Sequence, residues 1–428
     1  MTATLLKASA LNTPTIKTLA NGLTIVAEQM PIEAVNLNIW LKVGSALESN
    51  KINGMAHFLE HMVFKGTDRL NNGQFEQLIE QKGAVTNAAT AQEYTHYYIT
   101  TAPQDFAELA PLQLDIVFNP IIPDQAFERE KSVVLEEIRR SEDSPRRRVF
   151  YRAMETCFEE LPYRRRVLGS ASVIQDLTPQ QMRDFHEDWY HPASVTAVAV
   201  GNLSVEELID IVTQGFNQTN SFSQANQQYN CQLSPEKPFT EVVRQEYEDN
   251  QLHQARLVMM WRVPGLIDLD QTYALDVLAV ILGQGKVSRL FRDLREDLGL
   301  VSRIGVSNMT QNIQGVFYIS AQLPPENIPE VEKRITEHLV QIQRESVTEQ
   351  ELIRVRTQVA NRFIFGNERP SDRANLYGYY YSQLQDLEPA LTYPERIQSL
   401  SLEDIQRAAQ NYLTSNAYGI TIVRPKVQ

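Results

Sequence analysis

Ile174-Gln175-Asp176-Leu177-Thr178 runs on through Met182, Trp189 and Tyr190 into the apolar stretch Val195-Thr196-Ala197-Val198-Ala199-Val200. Adding 223 to each number gives Ile397-Gln398-Ser399-Leu400-Ser401, then Ile405, Tyr412 and Leu413, then residues 418–423. Both copies read alike. Thr178 and Ser401 carry the short oxygen-bearing side chain that satisfies the first free N–H groups of a helix. Apolar residues follow at helical spacing, then a short turn, then a run that reads as a strand. Working outward, the first half opens with strand-like alternation at 23–28 and 35–43, and the second at 255–263. A helix is expected after each, near 55–64 and near 272–282. Between the halves, residues 216–239 read FNQTNSFSQANQQYNCQLSPEKPF, rich in Asn, Gln and Ser. Such a segment buries too little apolar surface to fold alone. The reading is an α+β protein of two homologous halves, 1–215 and 240–428, joined by a linker at 216–239. Each half is expected to be a mainly antiparallel sheet with helices packed on it.

Composition narrows the function classes. The 428 residues are 43% hydrophobic and 22% charged, with 18 Gly, 20 Pro and 2 Cys, which excludes a collagenous or disulfide-stapled chain. The formal net charge of −13 repels phosphate backbones, so no nucleic-acid partner is expected. No apolar run approaches the ~20 residues that span a bilayer, so no membrane span is expected. The first thirty residues lack an apolar core followed by a small-residue cleavage site, so no secretory signal is expected. Cys157 and Cys231 cannot build a disulfide framework, although one bridge between them stays open. A reducing compartment suits them, and a cytoplasmic location, bacterial rather than organellar, is the expectation.

The sharpest chemical signal is His57-Phe58-Leu59-Glu60-His61. On a helix, histidines at i and i+4 share one face, one turn apart, and two imidazoles so placed reach a single Zn²⁺. Glu60 is close enough to reach water at such a metal but poorly placed to be a ligand. Gly54 precedes the segment, and Lys65-Gly66-Thr67 follows as a helix stop. A third ligand is sought in the helical run 128–138, where Glu130, Val134 and Glu137 fall on one face. Acidic groups on a partly apolar face are costly unless they bind something. Glu137 is the chosen ligand and Glu130 the acid that orients a histidine. Glu136 points toward Ser132 and Arg140. The bare pattern also occurs in unrelated helices, where its histidines are satisfied surface groups.

The run from His57 to Thr67, His57-Phe58-Leu59-Glu60-His61-Met62-Val63-Phe64-Lys65-Gly66-Thr67, resembles the inverted-motif zinc peptidases of the pitrilysin/insulinase family, most closely their short, mitochondrial-processing-peptidase-like branch. In that family the third ligand is a Glu about 75 residues past the second His, and 75 residues separate His61 from Glu137. Gly83-Ala84, Asn87-Ala88, Thr90, Thr95-His96-Tyr97-Tyr98 and Ser288-Arg289-Leu290-Phe291 also match, as does the run from Leu294 to Leu300. The likeness runs from about residue 23 to 423. It implies one Zn²⁺ per chain on His57, His61 and Glu137, with a fourth position kept for water. Glu60 is then the general base of an endopeptidase, with Glu130 behind a histidine. It also implies that Asn87, Ala88 and Thr90 lie on an edge strand that pairs with an extended peptide substrate. The ordinary alternative there is a buried Ala–Thr strand.

Other features read plainly. The tyrosines of Tyr377-Gly378-Tyr379-Tyr380-Tyr381 suit packing. Gly283-Gln284-Gly285 lacks the Lys-Ser/Thr of a phosphate loop. Arg146-Arg147-Arg148 and Arg164-Arg165-Arg166 are solvated basic patches, and His186, His191, His253 and His338 have no ligand spacing.

The family resemblance implies a two-chain cage. Short relatives carry an Arg, six residues, then a Tyr that hold the substrate across the cage; Arg295 matches, but Ser302 stands at the Tyr position. A Ser hydroxyl is too short to place a donor at the same point. The expectation is therefore the zinc-bearing subunit of a heterodimer whose homologous partner lacks the HxxEH motif, with a homodimer as the alternative. A non-catalytic scaffold subunit is the competing function, and a purely structural zinc site a third.

Overall fold

The computed structural model describes residues 12–219 and 233–426. Cys231 and the middle of the expected linker, residues 220–232, lie outside the described residues. The chain forms two compact units, each built on one sheet.

The first unit takes described residues 12–140, 165–219 and 363–391. Its strands are β1 (Thr15–Thr18), β2 (Thr24–Gln29), β3 (Val35–Leu41), β4 (Val85–Thr90), β5 (Thr95–Thr101) and β6 (Val195–Gly201). They lie in the order β1-β2-β6-β3-β5-β4, antiparallel except for β2 against β6. β3 and β6 are buried along their whole length, so both faces of the sheet's centre are covered. On one face Ile25, Leu37, Ile39, Tyr97 and Ile99 pack with Phe58, Leu59 and Met62 of the helix Met55–Met62 and with Phe127, Val134 and Ile138 of the helix Asp124–Asp143. On the other, Val26, Trp40, Val198 and Val200 are covered by the helix Pro370–Leu384 through Ala374 and Tyr377. That helix is anchored by a buried carboxylate: Arg373 Nη1 donates to Glu28 Oε1 at 2.6 Å and the Tyr377 hydroxyl to Glu28 Oε2 at 2.9 Å. Gly378 lets the helix approach, since a Cβ there would stand 2.0 Å from Trp40 Nε1.

The second unit takes described residues 141–164, 233–362 and 392–426. Its strands β7 (Val243–Asp249), β8 (Ala255–Pro264), β9 (Arg303–Met309), β10 (Gln314–Leu323) and β11 (Gly419–Pro425) lie in the order β7-β11-β8-β10-β9, with only β7 and β11 parallel. Ala255, Leu257, Met259, Trp261 and Val263 face the helices Tyr273–Gly283, Ile328–Glu345 and Leu402–Tyr412. The helix Pro145–Cys157 lies against β11 and β8, and its buried Thr156 meets Thr421 at 2.9 Å. The first turn of the helix Tyr273–Gly283 carries Asp276, whose carboxylate accepts from Asn308 Nδ2 at 2.8 Å and from the Tyr393 hydroxyl at 3.1 Å. Burial lifts its pKa to about 6, against the pull of those two donors.

The repeat stands in the structure. The helices Pro179–Trp189 and Leu402–Tyr412 both open on capping boxes, Thr178 with Gln181 and Ser401 with Asp404, and lead into β6 and β11. Those two strands each make the one parallel pairing of their sheet. The compact units nevertheless follow a different division from the halves of the repeat. Helix Pro145–Cys157, from before the linker, belongs with the second unit, and helix Pro370–Leu384, from beyond it, with the first. Each covers a sheet face that would otherwise be left apolar and open. The halves 1–215 and 240–428 thus remain a proposal about duplication. The linker's margins are ordered: Phe216 is buried in the last turn of helix Val205–Asn217, and Glu236 accepts from the N–H groups of Glu160 and Leu161 at 2.8 and 2.7 Å.

Candidate metal centre

The short helix Met55–Met62 carries the motif and is held at its N-terminus by a buried carboxylate. Glu48 accepts from Gly54 N–H and Ala56 N–H, both at 2.7 Å, and from Asn53 Nδ2 at 2.8 Å. Burial raises the Glu48 pKa, although the same donors oppose the shift. Gly54 takes φ +102°, and a side chain there would meet Leu168 O at 2.6 Å.

On this helix His57 is 8% exposed and stands one turn before His61. Glu137, from the helix Asp124–Asp143, places Oε2 3.5 Å from His57 Nε2 and 3.6 Å from His61 Nε2. These three donor atoms all lie within 4.8 Å of one another. Four zinc ligands at ~2.0–2.1 Å stand about 3.3 Å apart, so the trio fits a zinc ion with small adjustment. His61 and Glu137 are partly exposed, which leaves solvent an approach. Burial, aided by His61, pushes the His57 pKa down to about 4, so its imidazole is neutral, the form that ligates. His57 Nδ1 is buried without a hydrogen-bond partner among the described residues.

Glu130 sits behind the trio. Its Oε1 is 3.0 Å from His61 Nδ1, and its Oε2 is 2.8 Å from Lys65 Nζ. Burial works against its ionisation, but Lys65 and His61 prevail and hold its carboxyl below the usual range. Burial likewise lowers His61, and the bonds to Glu137 and Glu130 more than reverse it. Glu136 turns away and pairs with Arg139 and Arg140 at 2.8 and 3.0 Å.

Glu60 reaches the other way, toward β4. Thr90 Oγ1 donates to Glu60 Oε2 at 2.5 Å. Burial raises the Glu60 pKa, with Thr90 opposing. β4 is an edge strand, and its open side can be read from the register. Ala91 N–H bonds Tyr94 O at 2.8 Å, so Ala89 and Asn87 bond β5 while Thr90, Ala88 and Thr86 turn their N–H and C=O groups to the free edge. Ala88 N–H on that edge is taken by Asn87 Oδ1 at 2.9 Å. The side chains alternate too. Thr86, Ala88 and Thr90 are half-buried on the side of the motif helix, while Asn87 is exposed on the opposite face.

The residues singled out from sequence thus separate into groups. His57, His61, Glu137, Glu60, Glu130 and Thr90 come together in the first unit. Asn87 and Ala88 lie on the neighbouring edge. Arg295 belongs to the second unit, half-exposed on the π-helix Phe291–Asp297, with its guanidinium 4.7 Å from the Phe291 ring centre. Ser302 donates to Gln254 Oε1 at 2.7 Å. Sequence reasoning missed Glu48 and Lys65. Lys65, four residues past His61, carried a helical signal; Glu48, which reaches its helix across a loop, carried none.

In the first unit, two histidines and a glutamate that could hold a metal ion thus gather beside a free edge strand. Residues 24–171 match the insulinase (peptidase family M16) family, and residues 176–359 match the peptidase M16 inactive domain. The chain belongs to peptidase family M16. It is 27% identical to an uncharacterized zinc protease of Rickettsia felis over 94% of this chain and 95% of that protein. It is 27% identical to the zinc protease PqqE of Helicobacter pylori over 95% and 92%. A crystal structure of a protease from Helicobacter pylori superposes with TM-score 0.89 at 26% identity, covering 96% of this chain and 99% of that one. A peptidase M16 inactive domain from Pseudomonas fluorescens shares the fold at TM-score 0.86 and 20% identity, over 97% and 99%. Among the described residues no helix is long and apolar enough to cross a membrane.

Proposed function

We propose that this chain is a zinc-dependent endopeptidase that cleaves extended peptides, with His57, His61 and Glu137 holding the metal. One observation carries the reading: Nε2 of both histidines and Oε2 of Glu137 converge within 4.8 Å, with Glu60 presented from the same helix. A zinc ion held there would supply Lewis acidity toward a peptide carbonyl and ease deprotonation of water. The chain's own residues do the rest. Glu60 takes a proton from the attacking water on its carboxylate and returns it to the leaving amine. Glu130, fixed by Lys65, accepts from His61 Nδ1 and so presents Nε2 to the metal. The free edge of β4 offers Thr86 and Ala88 main-chain groups to an extended peptide, which would displace Asn87 from Ala88 N–H.

Ser302 in place of a tyrosine, already bonded to Gln254, supports this chain as the zinc-bearing subunit of a heterodimer. The homologous partner would supply Arg and Tyr and lack the zinc motif. The two-cysteine composition supports a bacterial cytosol. Cys157 is buried, its thiol pushed up to about 12 by burial, and therefore unreactive.

The test is Glu60→Gln. Peptide cleavage is expected to vanish while one zinc per chain is retained; a variant as active as the wild type refutes the assignment. Full activity of the chain purified alone refutes the heterodimer, and activity that appears only on mixing with a homologue supports it.

A further inference from the structure

Glu60 has three rotatable side-chain bonds and sits on an eight-residue helix, so the helix alone does not fix its carboxylate. What fixes it comes from another element. Thr90, the last residue of β4, gives its hydroxyl to that carboxylate at 2.5 Å. Thr90 is itself pinned. It faces Thr95 across a non-hydrogen-bonded pair, where side chains approach most closely, and the two Oγ1 atoms are 3.4 Å apart. Thr95 Oγ1 in turn donates to Val43 O at 2.9 Å, beyond the end of β3. The carboxylate therefore takes its position from the sheet edge.

Resting on the peptidase reading above, we propose that Thr90 is the positioning residue of the general base Glu60. Its hydroxyl occupies Oε2 and leaves Oε1 to exchange the proton with water. A substrate pairing along β4 meets the base at the last residue of the strand. Thr90 touches neither metal ligand nor substrate in this role. Its loss should slow turnover without weakening zinc or peptide binding.

Thr90→Val keeps the β-branched shape that suits a strand and removes only the hydroxyl; Thr90→Ser restores it. Zinc-loaded wild type and both variants are compared in whichever assembly cleaves a quenched-fluorescent unstructured peptide, with zinc affinity measured on the apoprotein by chelator competition. The expected result for Thr90→Val is a fall in kcat of about 10- to 100-fold, the loss of one hydrogen bond to a charged group. KM and zinc affinity stay unchanged, and Thr90→Ser recovers most of the rate. Crystal structures of the apo variants add an arm independent of turnover, with Glu60 swung off the strand in Thr90→Val and retained in Thr90→Ser. A Thr90→Val enzyme with unchanged kcat, a Thr90→Ser enzyme as slow as Thr90→Val, or Glu60 unmoved in Thr90→Val overturns the proposal. A wild type that cleaves nothing refutes the peptidase reading instead, and the crystallographic arm then decides the role of Thr90.

Discussion

Asp276 gives the second unit a pH dependence that can be worked out from its surroundings. Its side chain is largely shielded from solvent, which raises its pKa to about 6, against about 3.9 in an unfolded chain. A carboxyl whose folded pKa is raised is held more tightly protonated by the native state. Native stability is therefore highest below pH 4 as far as this group is concerned. It falls as pH rises from about 4 through 6 and levels off above 7. Two pH units at 1.36 kcal/mol each amount to about 3 kcal/mol. Asp276→Asn removes the titration yet keeps the contacts: its amide oxygen can accept from Asn308 and its NH₂ can donate to the Tyr393 hydroxyl. The assay is urea unfolding of both proteins at pH 5 and pH 8. Every other titrating group is common to the two, so the difference between them isolates this site. The variant's stability relative to wild type should rise by about 1.4 kcal/mol between the two pH values, the half of the total that falls between them. A difference independent of pH would refute the reasoning, because it would mean that the buried carboxylate is ionised at no cost.

Glu130→Gln keeps an acceptor for His61 Nδ1 but loses the charge that pairs with Lys65, and zinc affinity measured by chelator competition should fall about 10- to 100-fold. Gly378→Ala drives a methyl group into the buried Trp40 ring, and calorimetry should find the first unit destabilised by about 1–3 kcal/mol.

Much of the architecture was legible because its signals are local. Thr178 and Ser401 announce helices through partners three residues away, Gln181 and Asp404, and the strands that follow keep that offset to within one residue. The i, i+4 histidines needed only a helix to share a face, and Glu130 and Glu137 likewise. What escaped was decided by contacts distant in sequence. Nothing near Glu48 says that its carboxylate will cap a helix, and nothing near Pro370 says that its helix will cover Val26 and Val198. The fragment from Asn87 to Thr90 was legible as a strand, but which neighbours faced the motif helix depended on the hairpin register. That register sends Thr90 to Glu60 and Asn87 to the opposite face.

The placement of helix Pro370–Leu384 bears on how the chain tolerates being cut. A fragment ending near residue 219 would keep the metal-binding residues. It would lose the cover over Val26, Trp40, Val198 and Val200, and would leave Glu28 buried with neither Arg373 nor Tyr377 to answer it. The first half is accordingly not a self-sufficient product, and expressing it alone invites aggregation through the bared sheet. A protease nick within residues 220–232 has the opposite outcome. Both compact units draw on residues from each side of that segment, so the two pieces stay interleaved, and the nicked protein should migrate as one species until it is denatured.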